Sequence, residues 1–354
     1  MRFTLYPISS IADGMDDEPF DLNSLPFDVT ESVRIEAIHE RLREDAFDHA
    51  KKQLGEEVVQ SLKDVRYALV HRYNPEPILD PATNKIIGEP FRSQQSDILI
   101  REIAACLRII RPMRQRALPI RGGIRDDGTF DVTGFDVPTL HLLEVPEVQK
   151  LFALRNQDAD NLRQYAPSFL RAMRGEFWKF RMAVQFHELG HFQSLDWKAR
   201  YLLWCSAIES IYTSHNWEHQ GSLVATSRIR WFLGENTSTY APGDISRLLR
   251  DPHITVDMVV DDLYEMRNFM AHGDKVPDRF FSDILRDGFN DGVNKVEVLI
   301  EAASFIIRTS LLKILRDKLL DHFTDAEPAE AYFGAQNLTR SVLRTRRRGG
   351  EGRP

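Results

Sequence analysis

Cysteine is nearly missing from this chain: Cys106 and Cys205 are the only two in 354 residues. Two thiols make neither a disulfide framework nor a cysteine-based zinc site. Both lie in apolar helical stretches and read as small core residues of a reducing compartment. Long apolar runs are missing too, since none approaches the roughly 18 residues that a membrane span needs. The first twenty residues, MRFTLYPISSIADGMDDEPF, hold no apolar h-region and turn acidic, so no signal peptide is read there. These absences point to a cytoplasmic protein with no membrane partner. Nor is there an excess of positive charge: 46 basic residues face 53 acidic ones, for a net −7. The field of the whole molecule does not attract nucleic acid, so an RNA-binding role needs a local basic surface.

What is present is the balance of a globular protein, 42% hydrophobic and 28% charged, at a length that suits two domains. Residues 1–157 read as a mixed α/β region of unassigned fold. Within it, Val33, Ile35, Ile38, Leu42 and Phe47 begin a helical spacing that runs from Thr30 to about Lys63. Arg66–Tyr73 reads as a strand closed by Asn74-Pro75. Residues 97–111 form an apolar helix stopped by Pro112. The Gly- and Pro-rich stretch from Leu118 to Val148 suggests short strands or loops. From about Asp158 helices dominate, near 160–173, 176–196, 198–213, 219–234, 255–272 and 293–322, with a short one near 244–250. Residues 158–197 serve as a helical connector, 198–322 as a helical domain, and 323–354 as a basic, disordered tail. The last fifteen residues hold six arginines and one glutamate.

Chemistry concentrates at the end of the helix TVDMVVDDLYEMRNFMAHG, with Thr255 at its N-cap and Gly273 just past its C-cap. Asn268 and His272 are four apart, about 40° around the helix, and share one face. Arg267 sits about 100° from Asn268 at a similar height, and its long stem swings a guanidinium toward that face. Histidine can take or give a proton near neutral pH, arginine offers a planar fork of donors for phosphate, and asparagine can orient either the histidine or a 2′-hydroxyl. A second helix, Tyr201–Tyr212 (YLLWCSAIESIY), is apolar nearly all round and carries one charge, Glu209. A carboxylate there needs a partner, and Arg267 is the candidate. The plainer reading is that Arg267 and His272 merely cap a helix C-terminus, where cations complement the dipole. Asp257, Asp261 and Asp262, earlier in the same helix, read as structural.

The order of Ala207-Ile208-Glu209-Ser210, then ATSRIRWFLG (Ala225–Gly234), then LYEMRNFMAHG (Leu263–Gly273) resembles the Apea-like branch of the HEPN domains. These show an ALE-type helix before an LY-x-x-R-x4-HG helix. The resemblance covers roughly 125 of the 354 residues. It implies a mainly α protein, with a C-terminal HEPN-type helical bundle preceded by the mixed α/β region. It also implies a homodimer whose paired motifs form one composite, metal-independent endoribonuclease site needing no cofactor. His272 is then the acid/base, Arg267 the phosphate clamp, and Asn268 the polar residue that often follows the arginine, while Glu209 and Tyr264 support them. RNA would be cut by its own 2′-hydroxyl, leaving a 2′,3′-cyclic phosphate, in a defence or growth-arrest setting. The N-terminal region would bind a regulatory partner. Some HEPN bundles bind RNA or protein without cutting, and this is the second expectation.

His187-Glu188-Leu189-Gly190-His191 matches H-E-x-x-H, whose two histidines share a helix face and can hold zinc with the glutamate as base. Glu209 is the candidate third ligand, and a zinc-dependent hydrolase is the third expectation. The bland alternative is a structural pair of surface histidines. His215 and His219, also four apart, invite the same thought and carry less weight. The stripe Val296, Val298, Leu299, Ala302, Phe305, Ile306 and Leu311 suits either a dimer face or the core.

Overall fold

The computed structural model describes residues 1–8, 20–38, 66–74, 78–83, 85–88, 92–111, 120–135, 154–191, 195–213, 221–234, 255–281 and 295–335. The described part is mainly helical, with an antiparallel sheet near the N-terminus. The chain divides into two compact units, Met1–Leu170 and Arg171–Pro354.

The first unit is built on six antiparallel strands in the order β2-β3-β4-β1-β7-β8. They are β1 (Arg2–Ile8), β2 (Phe27–Asp28), β3 (Val33–Ala37), β4 (Tyr67–Tyr73), β7 (Ile120–Ile124) and β8 (Phe130–Phe135), while β5 (Ile78–Leu79) and β6 (Ile86–Gly88) form a separate hairpin. The strand expected over 66–73 is β4. The helical spacing expected from Thr30 is corrected at its start: residues 33–37 are a strand, and the remainder to Lys63 lies outside the described residues. The reason is local. Val33 and Ile35 are buried on either side of exposed Arg34, as on a strand, and β4 pairs with the segment from Val33 to Ala37.

Helix α1 (Arg92–Ile110) lies on the sheet and seals a buried polar chain. His71 Nδ1 is 2.6 Å from Ser96 Oγ, Ser96 Oγ is 2.8 Å from Thr4 Oγ1, and Thr4 Oγ1 is 3.3 Å from Asp97, which pairs with Arg121. Every contact holds a proton only if donation runs from His71 through both hydroxyls to the carboxylate, which places the imidazole proton on Nδ1. Helix α2 (Asn156–Arg174) begins in this unit, where Arg163 Nε donates to the Asp28 carbonyl at 2.7 Å and stacks on Phe27.

The second unit comprises α3 (Trp178–Leu189), α4 (Trp197–Tyr212), α5 (Gly221–Leu233), α6 (Val256–Ala271), α7 (Lys295–Arg316) and α8 (Ala326–Ala335). Helix α4 touches α3, α5, α6 and α7, which is why its sequence is apolar on nearly every side. None of its residues from Tyr201 to Tyr212 is exposed. The stripe along α7 is spent on this core: Val296, Val298, Leu299, Ala302, Phe305, Ile306 and Leu311 are all buried within the chain.

The boundaries differ from expectation. Residues 178–189 are no connector, since α3 packs along α4. Part of the expected tail is folded: α8 places Phe333 against Phe232, Phe323 and Tyr212, and Glu330 receives both Nη atoms of Arg228 at 2.8 and 2.7 Å. Arg228 also donates to the Tyr212 carbonyl at 2.9 Å and is 1% exposed, so one buried guanidinium ties α4, α5 and α8 together. The short helix near 244–250, His215, His219 and the arginine-rich stretch from 340 lie outside the described residues.

Candidate functional site

Helix α6 positions the Arg267 group. Thr255 occupies its N-cap with extended backbone, although its hydroxyl makes no capping bond. The C-terminus closes with His272 at the C-cap and Gly273 in the left-handed region, φ +76°. Gly273 N–H donates to Met270 O at 3.2 Å and Asp274 N–H to Phe269 O at 2.8 Å, a Schellman closure that requires the positive φ. The Met-Ala-His-Gly ending therefore has a backbone reason of its own.

Helices α4 and α6 are held in register by Tyr201, whose buried hydroxyl donates to the Leu263 carbonyl. Further along both helices, Arg267 Nη2 meets Glu209 Oε2 at 2.9 Å, the pairing anticipated for the lone charge of α4. Arg267 Nη1 donates to Asn268 Oδ1 at 3.2 Å. The arginine thus holds a carboxylate and a carboxamide at once and does not cap the helix carbonyls. Burial raises the pKa of Glu209, and Arg267 opposes that shift. Tyr264 is buried beside this pair, and its hydroxyl has no hydrogen-bond partner among the described residues. Burial, then the nearby Glu209 charge, pushes its phenol well above its ordinary range.

His272 is exposed, one turn beyond Asn268, and its backbone N–H donates to the Asn268 carbonyl at 3.1 Å. Its ring makes no hydrogen bond or ion pair among the described residues. The structure therefore assembles Glu209, Arg267 and Asn268 as one contact group, with Tyr264 beneath it and His272 at its solvent edge. Chemically this offers a cation held in place by a carboxylate, a neutral amide, and an imidazole open to a ligand.

The expected metal set is not assembled as drawn. Among the described residues no group of three or more His, Cys, Asp or Glu side chains can hold a metal, and Glu209 is engaged by Arg267. His187 is no surface residue: it is fully buried, with Nε2 3.2 Å from His191 Nε2. Glu188 lies beside it, Oε1 to His187 Nδ1 at 3.4 Å. Gly190 has a packing reason, because a Cβ there would stand 2.3 Å from Trp204 Nε1. That indole donates to the His187 carbonyl at 3.2 Å.

The acidic residues of α6 are structural: Asp257 and Asp261 both receive Arg230, at 2.5 and 2.8 Å, and Asp262 pairs with Lys295. Among the buried cations that escaped the sequence reading, two brace the helices around α4. Arg228 is one, set between the buried Ala225 and Ile229 of α5. Lys179 is the other; it donates to the Ser210 and Thr213 carbonyls at 2.8 and 2.6 Å, at the end of α4. Burial pulls its pKa down to about 8. No helix among the described residues is long and apolar enough to cross a membrane. No protein-family model, curated protein or solved structure matches the chain.

Proposed function

We propose that the second unit is a HEPN-type endoribonuclease, acting on RNA without a metal or cofactor. The observation that carries this reading is the Glu209–Arg267–Asn268 contact, with His272 four residues beyond Asn268 on the same helix. Glu209 fixes the guanidinium, so its remaining N–H groups are oriented before a phosphate arrives, and fixed donors stabilise developing phosphoryl charge better than mobile ones. His272, open to solvent, takes the proton from a ribose 2′-hydroxyl. The 2′-oxygen forms its bond to phosphorus as the bond to the 5′-oxygen breaks, and that oxygen leaves with a proton. The products are a 2′,3′-cyclic phosphate and a 5′-hydroxyl. A homodimer would supply a second imidazole as the acid, and the arginines from 340 onward would gather polyanion near the site. Defence or growth arrest as the setting, and a regulatory partner at the N-terminal unit, rest on analogy alone.

The test is cleavage of end-labelled total RNA in excess EDTA by the full chain and by His272→Ala. Cutting by the wild type with cyclic ends, and none by the variant, supports the reading. Equal cutting by both, or cutting that EDTA stops, overturns it.

A non-catalytic binding module has one observation in its favour: both Nη atoms of Arg267 already donate within the chain. That reading expects RNA or protein retention with no cleavage by any variant.

A further inference from the structure

A second constellation stands apart from the Arg267 group, at the end of α3. His187 and His191 are four apart, so their rings share one helix face. Their Nε2 atoms are 3.2 Å apart. Two imidazoles bound to one tetrahedral zinc, at roughly 2.0–2.1 Å each, hold their nitrogens about 3.3 Å from one another. The spacing is therefore that of two ligands on one ion.

Neither ring is loosely placed. His187 is fully buried. Its own carbonyl accepts from Trp204 Nε1, and the ring of His191 packs edge-on to the same indole at 5.3 Å between centroids. Gly190, between the two histidines, lets that indole approach, since any Cβ there would strike it. The sequence His-Glu-Leu-Gly-His thus fits around one tryptophan, which holds the His187 backbone and packs on the His191 ring, while the two imidazoles meet edge to face. Glu188 Oε1 lies 3.4 Å from His187 Nδ1, which makes no hydrogen bond among the described residues. Across the Nε2–Nε2 contact one ring donates and the other presents its lone pair.

We propose that His187 and His191 chelate a late first-row divalent cation, Zn²⁺ foremost, through their Nε2 atoms. Without the ion the two nitrogens share one proton. On binding, the ring that carried it on Nε2 moves it to Nδ1, so the pair neither gains nor loses a proton. Imidazole nitrogen suits zinc, nickel and copper and does not suit magnesium or calcium. Among the described residues no third His, Cys, Asp or Glu joins the pair. The site is a two-point clip joining the last turn of α3 to the turn that follows it, and it is independent of the ribonuclease reading.

The experiment uses the full chain, stripped with chelator and desalted, then titrated with Zn²⁺ against a chromogenic competitor. Wild type binds one equivalent that His191→Ala weakens more than about tenfold, at least the loss that removing an outer-shell partner of a ligand brings. In parallel, Zn²⁺ slows hydrogen exchange at the imidazole C2 of His191, read by mass spectrometry on the wild type, so the answer does not depend on how the variant folds. No binding by the wild type, an unchanged isotherm in His191→Ala, or Zn²⁺ that leaves His191 exchange unaltered each overturns the proposal. The last result would also report an ion taken by other histidines, such as His215 and His219.

Discussion

Glu209 and Arg267 are 58 positions apart in sequence and meet at 2.9 Å between α4 and α6, each about a quarter exposed. Removing one partner leaves the other charge half-desolvated. Glu209→Ala and Arg267→Ala should each destabilise the chain by about 1–3 kcal/mol. The double variant should cost less than their sum, with a coupling of about 1 kcal/mol in urea unfolding. Strict additivity would show that the pair carries no energy.

The same carboxylate gives a pH signature. Its folded pKa is raised, so the folded state holds the Glu209 proton more tightly than the unfolded state. The stability this contributes is fully present below the ordinary glutamate range and is lost as pH rises through the raised value. Glu209→Gln removes that slope. The stability of wild type relative to Glu209→Gln should therefore fall as pH is raised from about 4 toward neutrality, and equal slopes in the two proteins would refute the assignment.

Lys179 is shifted by the same cause, burial, in the opposite direction. Its pKa is lowered to about 8, so between that value and its ordinary 10.5 the unfolded state binds more protons. Stability should rise with pH across this window, and Lys179→Met should abolish the rise. Denaturant melts at pH 7.5 and about pH 9.5, for wild type and variant, decide it.

Arg228 and Glu330 fasten α8. Arg228→Ala should cost about 3–5 kcal/mol, because it strips a bidentate partner from Glu330 and empties the space against Phe333. Glu330→Gln should cost less, and both should open the α8 segment to limited proteolysis ahead of global unfolding. Cleavage elsewhere first would show that α8 is held by its aromatics alone.

If the RNA reading holds, Asn268→Ala should lower cleavage by about tenfold or more, as loss of an orienting polar group does. His272→Ala should leave the unfolding midpoint within about 0.5 kcal/mol of wild type, since the ring is exposed. A large stability loss in His272→Ala would make the ring structural, and the missing cleavage would then say nothing of catalysis.

The sequence carried what is local. Helices α1 through α7 and strand β4 were legible because the 3.6-residue period and its Pro, Gly and Asn breaks are written in consecutive residues. The Glu209–Arg267 contact was legible for an energetic reason: one charge in an all-round apolar helix must find its counter-charge. Where neighbours decide, the reading failed. Val33–Ala37 is a strand because β4 pairs with it. Residues 326–335 pack through Glu330 on Arg228, 102 positions earlier, and through Phe333 on Phe232 and Phe323, all distant in sequence. The residue types of the His187–His191 motif are plain in the sequence, but the burial of His187 and the 3.2 Å approach of the two nitrogens appear only in the packed structure, where Trp204 of α4 meets the same turn. Periodicity is a property of adjacent residues, whereas burial and pairing belong to surfaces that meet only when the chain has folded.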